Sequence, residues 1–172
     1  DADFKALLDA LLAFESAQDE SVDRAVASIL ADVKARGDAA VREYSVRFDK
    51  ADVGALEVTL AGREAAVAAL DPQTRKDTEF AIANVRRFAE AQLATVLPLD
   101  MESLPGVHMG HRVIPIDRVG CYVPGGRFPL LSAPIMTIVP AKVAGVKEVI
   151  ACLPPNAHQA MVAGCHLSGA DR

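Results

Sequence analysis

A chain of 172 residues, 51% of them hydrophobic, carries enough apolar side chain to bury the core of one or two domains, which excludes an intrinsically disordered protein. Its net charge of -5, with no acidic or basic tail, offers no basic stripe to displace counterions from a phosphate backbone, so nucleic acid is not an expected partner. No apolar run reaches the roughly 18 residues of a bilayer span, and no cationic start precedes an apolar stretch. The expectation is a soluble chain without a membrane partner. Cys121, Cys152 and Cys165 are odd in number and form no C-x-x-C pair, which points to free thiols in a reducing cytoplasm. The chain has no starting Met, and Ser168 to Arg172 reads as a helix ending in a turn, so a fragment of a longer protein is expected.

The first hundred residues carry helical periodicity. Phe4, Leu7, Leu8, Leu11 and Leu12 form one apolar stripe. Ser21 is expected to cap a second helix with a buried face of Val22, Val26, Ile29, Leu30 and Val33, and Gly37 to supply its left-handed stop. Asp38 restarts the helix, with Val41, Tyr44 and Phe48 on its apolar side. Leu56 to Leu60 alternates like a short strand, and Arg63 to Leu70 reads as a short helix. Pro72 opens a long amphipathic helix with Ala81, Ile82, Val85, Phe88 and Ala89 on one face and Arg86, Arg87 and Glu90 largely on the other.

At Leu97-Pro98 the pattern changes to short β-rich runs punctuated by glycine and proline, which suggests a helical region over 1–100 and a second domain over 101–172. Val113 to Ile116 and Val119 to Val123 read as strands, Ala133 to Ala144 as a helix, Glu148 to Leu153 as a buried strand and His158 to Leu167 as a helix. Pro140 is expected to kink the first of these helices into two pieces near Ile138. The fold class is therefore α/β: a helical N-terminal region, then the β-α-β-α start of a Rossmann-like parallel sheet, incomplete in this chain. The strand expected after Ala170 would be missing, which would leave a sheet edge unpaired.

Such sheets bind ligands at the carboxyl ends of their strands, which directs attention to Tyr122-Val123-Pro124-Gly125-Gly126-Arg127. Adjacent glycines let the backbone approach a ligand ahead of a helix, and Arg127 adds positive charge, which suits a phosphate or nucleotide. The run is neither G-x-G-x-x-G nor a G-x-x-x-x-G-K phosphate loop, and the same residues also make an ordinary tight corner in which Tyr122 simply packs. His108 and His111 have H-x-x-H spacing, but in a β segment they face opposite sides and no third ligand is near, so they are not assigned to a metal. His158 and His166 lie about two turns apart on a helix and are read as surface or capping residues. Cys121 is read as a small buried residue rather than a nucleophile.

Arg118-Val119-Gly120-Cys121-Tyr122-Val123-Pro124-Gly125-Gly126, then Pro140-Ala141-Lys142-Val143-Ala144-Gly145-Val146-Lys147-Glu148-Val149-Ile150 and Pro154-Pro155, resembles the histidinol dehydrogenase family. Gly37 to Ser45, followed by Phe48-Asp49, is similar to the family's helical start. The resemblance implies a homodimeric enzyme of histidine biosynthesis that holds one zinc per active site. It would oxidise an alcohol through an aldehyde to a carboxylate with two NAD in succession. It also implies that Tyr122 contacts NAD; Gly125 and Gly126 join it as cofactor-binding residues by inference from the turn. The family's zinc ligands and its Glu/His acid-base pair belong to its C-terminal part, so no catalytic or metal residue is assigned in this chain.

Gly126-Arg127-Phe128-Pro129-Leu130 departs from the small residues that commonly follow the two glycines, and it looks more like relatives acting on other polar alcohols, such as sulfopropanediol dehydrogenases. Arg127 could there pair with an anionic group or stand as a solvated turn residue. Two functional classes remain. One is part of an NAD-dependent, zinc-assisted alcohol dehydrogenase, inactive by itself; the other is a non-catalytic folding or dimerisation module, if the chain is complete.

Overall fold

The computed structural model describes residues 2–12, 20–125 and 128–172. Its internal contacts divide it into two compact units, Asp1–Val53 and Gly54–Arg172. Seven α-helices and two two-stranded sheets form among the described residues, so the fold class is mixed α/β.

The first unit is helical: α1 (Ala2–Leu12), α2 (Glu20–Arg36), α3 (Asp38–Tyr44) and a π-helical turn over Ser45–Asp49. Arg36 closes α2 on α3. Its guanidinium grips the Asp32 carboxylate with two bonds of 2.6 and 2.5 Å and reaches Glu43 at 2.8 Å, while the Tyr44 hydroxyl donates to Asp32 at 3.0 Å. The Arg36 fork holds the Asp32 carboxyl at about 2. Between these helices Gly37 takes φ 59, the positive φ the sequence suggests, but with ψ -135 rather than the left-handed helical stop. Two expectations are corrected. Ser21 stands inside the first turn of α2, which begins at Glu20, rather than ahead of it. Phe4, Leu7, Leu8, Val22, Val26 and Leu30 are exposed, because a periodic apolar face becomes core only where another element covers it. Leu11 and Leu12 have side chains outside the described set. Phe48, also exposed, stacks on Tyr44 with ring centroids 5.6 Å apart.

The second unit begins irregularly. The strand expected over Leu56 to Leu60 does not form; no partner strand flanks it, and the Thr59 hydroxyl instead accepts the Gly62 N–H and caps α4 (Leu60–Ala68). Helix α4 therefore starts before Arg63. Asp71 accepts the Thr74 N–H at 2.9 Å and Pro72 occupies the first turn of α5 (Pro72–Leu93). Ile82 and Ala89 are buried and Ala81 and Val85 half-buried against α6, but Phe88 is 66% exposed. It lies about 100° round the helix from the line through Thr78, Ile82 and Ala89.

Strands β1 (Leu99–Leu104) and β2 (Val107–His111) pair antiparallel across Pro105-Gly106. Gly106 adopts φ 80, the second central position of a turn that favours Pro then Gly. This hairpin replaces the strand expected over Val113 to Ile116, which is irregular: Pro115 cannot donate to a ladder.

The remainder follows the expected order with ends shifted by a residue or so: β3 (Arg118–Tyr122), α6 (Ser132–Val143), β4 (Glu148–Cys152) and α7 (Gln159–Ser168). Strands β3 and β4 pair in parallel. Helix α6 is one helix through Pro140, not two pieces. The carbonyl left without a partner is that of Met136, a residue 67% exposed, where water can take it. Val123, Ile138, Val149, Met161 and Cys165 form the core between this sheet and α6 and α7.

The end of α7 folds back onto β4. Gly169, at φ 101, turns the chain so that the Asp171 N–H donates to the Val149 carbonyl at 2.8 Å and the Ala151 N–H to the Arg172 carbonyl at 2.7 Å. These bonds lay the last two residues along part of the outer edge of β4, while no third strand joins the sheet among the described residues. The Asp171 carboxylate accepts the Val149 N–H at 2.7 Å and pairs with Lys142 at 2.9 Å; these two partners, in that order, hold its pKa below the ordinary value. Asp171→Ala should lower the unfolding free energy by about 2 kcal/mol, read by urea titration. Because the folded-state pKa is depressed, this stabilisation is full above the ordinary aspartate range and is lost as pH falls through the folded value. The gap between variant and wild type should therefore narrow in acid; a constant gap would assign it to packing.

Candidate functional site

The register of β3 and β4 sets the site. Val119 stands beside Val149, Cys121 beside Ala151 and Tyr122 beside Cys152. Alternation sends Cys121, 6% exposed, into the core and leaves Tyr122 71% exposed at the carboxyl end of its strand. The Val123 N–H donates to the Cys152 carbonyl at 2.9 Å, so pairing runs one residue beyond the strands and draws the two following loops together.

Those loops touch at Gly125. A Cβ built there would lie 2.6 Å from Cγ of Pro154, so residue 125 has room only for hydrogen on that side, while the glycine is otherwise exposed. The loop after β4 is braced: the Ala157 N–H donates to the Pro154 carbonyl at 3.0 Å, and His158 Nδ1 accepts the Ala160 N–H at 3.1 Å, capping α7 as expected. Two of the three residues expected to bind cofactor, Tyr122 and Gly125, thus sit at one edge; Gly126, with Arg127, lies outside the described residues. Cys152 and Pro154 complete this edge; the sequence offers Cys152 only as a free thiol and Pro154 only within the family motif, and assigns neither to the site. Only the strand register shows that Cys152 neighbours Tyr122.

The other groups weighed for chemistry are placed elsewhere. His108 meets Asp100 at 3.2 Å on one face of the hairpin, and on the other face His111 Nε2 lies 2.8 Å from the Leu97 carbonyl; both line a shallow cleft of about 290 Å³. Among the described residues no group of three or more His, Cys, Asp and Glu side chains is placed to hold a metal ion. Burial pushes the Cys165 thiol up to about 12 and raises that of Cys121. No described helix is long and apolar enough to cross a membrane.

Residues 13–172 match the family model described as histidinol dehydrogenase. The chain belongs to the histidinol dehydrogenase family. It is 47% identical over 150 residues to histidinol dehydrogenase homolog 1 of Mesorhizobium japonicum, covering 86% of this chain and 30% of that protein. It is 44% identical over 180 residues to the histidinol dehydrogenase of Cupriavidus pinatubonensis, covering 100% of this chain and 40% of the relative. The sulfopropanediol 3-dehydrogenase of Ruegeria pomeroyi is 42% identical over 154 residues, covering 87% of this chain and 35% of that protein. The crystal structure of histidinol dehydrogenase from Elizabethkingia anophelis superposes with a TM-score of 0.80 at 28% identity, over 92% of this chain and 36% of that one. This member of the histidinol dehydrogenase family thus spans 30% to 40% of the length of these curated relatives.

The thiols offer a test of the site's geometry. Of the three cysteines only Cys152 is exposed, and thiolate is the reactive form, so a thiol reagent should modify one cysteine rapidly in the native protein. Cys152→Ser should abolish that fast phase. A fast phase surviving the substitution would mean either that Cys121 is open to solvent and the register is wrong, or that Cys165 is open and α7 is displaced.

Proposed function

We propose that this chain contributes the nucleotide platform of an NAD-dependent, zinc-assisted alcohol dehydrogenase of the L-histidinol to L-histidine type. The observation that carries the reading is the exposed Tyr122 beside the side-chain-free Gly125, at the carboxyl ends of two parallel strands, in a chain of this family. The β3-α6-β4-α7 order supports taking this region as the first part of a Rossmann-like domain. The reading includes a cytoplasmic homodimer.

NAD, when bound, supplies the hydride acceptor. The residues here fit its binding: Gly125 admits close approach to the backbone, and Tyr122 offers a solvent-open ring with a hydroxyl at its tip. Arg127 joins this edge in sequence and would add the positive charge that a pyrophosphate calls for. Zinc is different. The described residues provide no donor set for it, so its ligands and the acid-base pair would have to come from elsewhere in a protein of the family's full length.

Similarity to a sulfopropanediol 3-dehydrogenase, together with Phe128-Pro129-Leu130 after the turn, favours a sulfonated diol as the second substrate reading. The deciding experiment titrates the natural gene product that contains this chain, loaded with zinc, with NAD and follows NADH formation with L-histidinol and, separately, with a sulfonated propanediol. Saturable NAD binding that Tyr122→Ala weakens about tenfold, the scale of one aromatic contact, is expected. No saturable binding by wild type would remove the nucleotide reading. Turnover of the diol but not histidinol would move the substrate assignment to the second reading.

A further inference from the structure

We propose that Pro154, in the loop after β4, is a positioning residue that fixes where the Gly125 backbone meets the nucleotide. The proposal rests on the nucleotide reading of that turn. Three atoms of the Pro154 ring surround the place a side chain on residue 125 would occupy, with Cγ at 2.6 Å, Cβ at 3.4 Å and Cδ at 3.7 Å. The ring therefore covers one side of Gly125 and leaves the exposed side for a ligand. Pyrrolidine suits this task because it has no χ1 rotamers to swing aside and its φ is fixed. The wall is itself held: the Pro154 carbonyl accepts the Ala157 N–H at 3.0 Å, and the loop runs directly into the His158 cap of α7.

At the other end, the Val123 N–H is tied to the Cys152 carbonyl. The segment from Val123 to Gly125 is thus pinned by a hydrogen bond at its start and by an apolar wall at its end, both supplied by the β4 side of the site. The wall bears on where the exposed turn backbone lies, so it should act on binding more than on the stability of the core. Pro154 does this without touching the ligand.

The test is a double-substitution cycle on NAD affinity, with the unfolding midpoint measured on each protein. Gly125→Ala should weaken NAD binding about tenfold, because the new methyl must push the turn off the ring. Pro154→Ala, which removes the wall but adds nothing, should weaken it about threefold with little change in the midpoint. In Gly125→Ala/Pro154→Ala the methyl enters the space the ring vacates, so affinity should return to that of Pro154→Ala alone. If Gly125→Ala does not fold, recovery of a folded, NAD-binding protein in the double variant still supports the positioning contact. Wild-type affinity in Gly125→Ala, or losses that simply multiply in the double variant, would overturn the proposal while leaving the nucleotide reading in place. Wild type that binds no NAD would overturn both.

Discussion

The site depends on β3 and β4 being parallel and in register. Parallel neighbours cannot be joined by a tight turn; they need a crossover, here α6, and a covered face, here the one carrying Cys121, Val123 and Val149, against which α6 and α7 pack. That requirement accounts for the apolar runs Val119 to Val123 and Val149 to Leu153 and for the complete burial of Val123, Ile138 and Val149. It also brings both carboxyl ends out at one edge. A slip by one residue would turn Cys121 toward solvent and Tyr122 into the core, so the exposed tyrosine and the buried thiol are two consequences of one register.

Charge is distributed unequally between the two ends of this sheet. At the amino edge Arg118 pairs with Glu148, Arg172 bridges Glu148 and Glu57, and Lys147 pairs with Asp117. Exposed pairs such as these add little stability singly, but they leave the amino edge closed and polar. At the carboxyl edge the described residues, Tyr122 to Gly125 and Cys152 to Pro155, carry no formal charge. Neutral side chains leave this edge without a carboxylate that would repel an anionic ligand. The Asp171 clasp contributes from the side: by occupying the outer edge of β4 it holds that strand, and hence the register, from the face away from β3.

The sequence reveals this site more readily than its supports. Periodicity locates α5, α6 and α7, and the glycine turn after a β-branched strand points to Tyr122 and Gly125, because both signals are local. Packing is not local. The stripes of α1 and α2 show that Phe4, Val22 and Leu30 share apolar faces, but not that anything covers them, and here nothing described does. Leu56 to Leu60 alternates like a strand, yet the Thr59 hydroxyl has a nearer partner in the Gly62 N–H than any ladder offers. Pro105-Gly106 between two short alternating runs signals the β1-β2 hairpin, whereas Val113 to Ile116, expected as a strand, carries Pro115, which argues against a ladder. Cys152 and Pro154 are of another kind, since only the three-dimensional register brings them to Tyr122 and Gly125.

What the carboxyl edge does not present also follows from its construction. Oxidising an alcohol needs a group to accept its proton, and the described loops of this edge contain no carboxylate. Their one imidazole, His158, has Nδ1 committed to the Ala160 N–H, where it secures α7; freeing it would uncap the helix that braces the Pro154 loop. Under the proposed nucleotide reading this edge would hold the ligand, and the proton chemistry would fall to other groups. Such a platform is most useful when rigid, with its wall, cap and strand register fixed before the ligand arrives, and the groups that handle protons can then approach from another part of the protein without disturbing it.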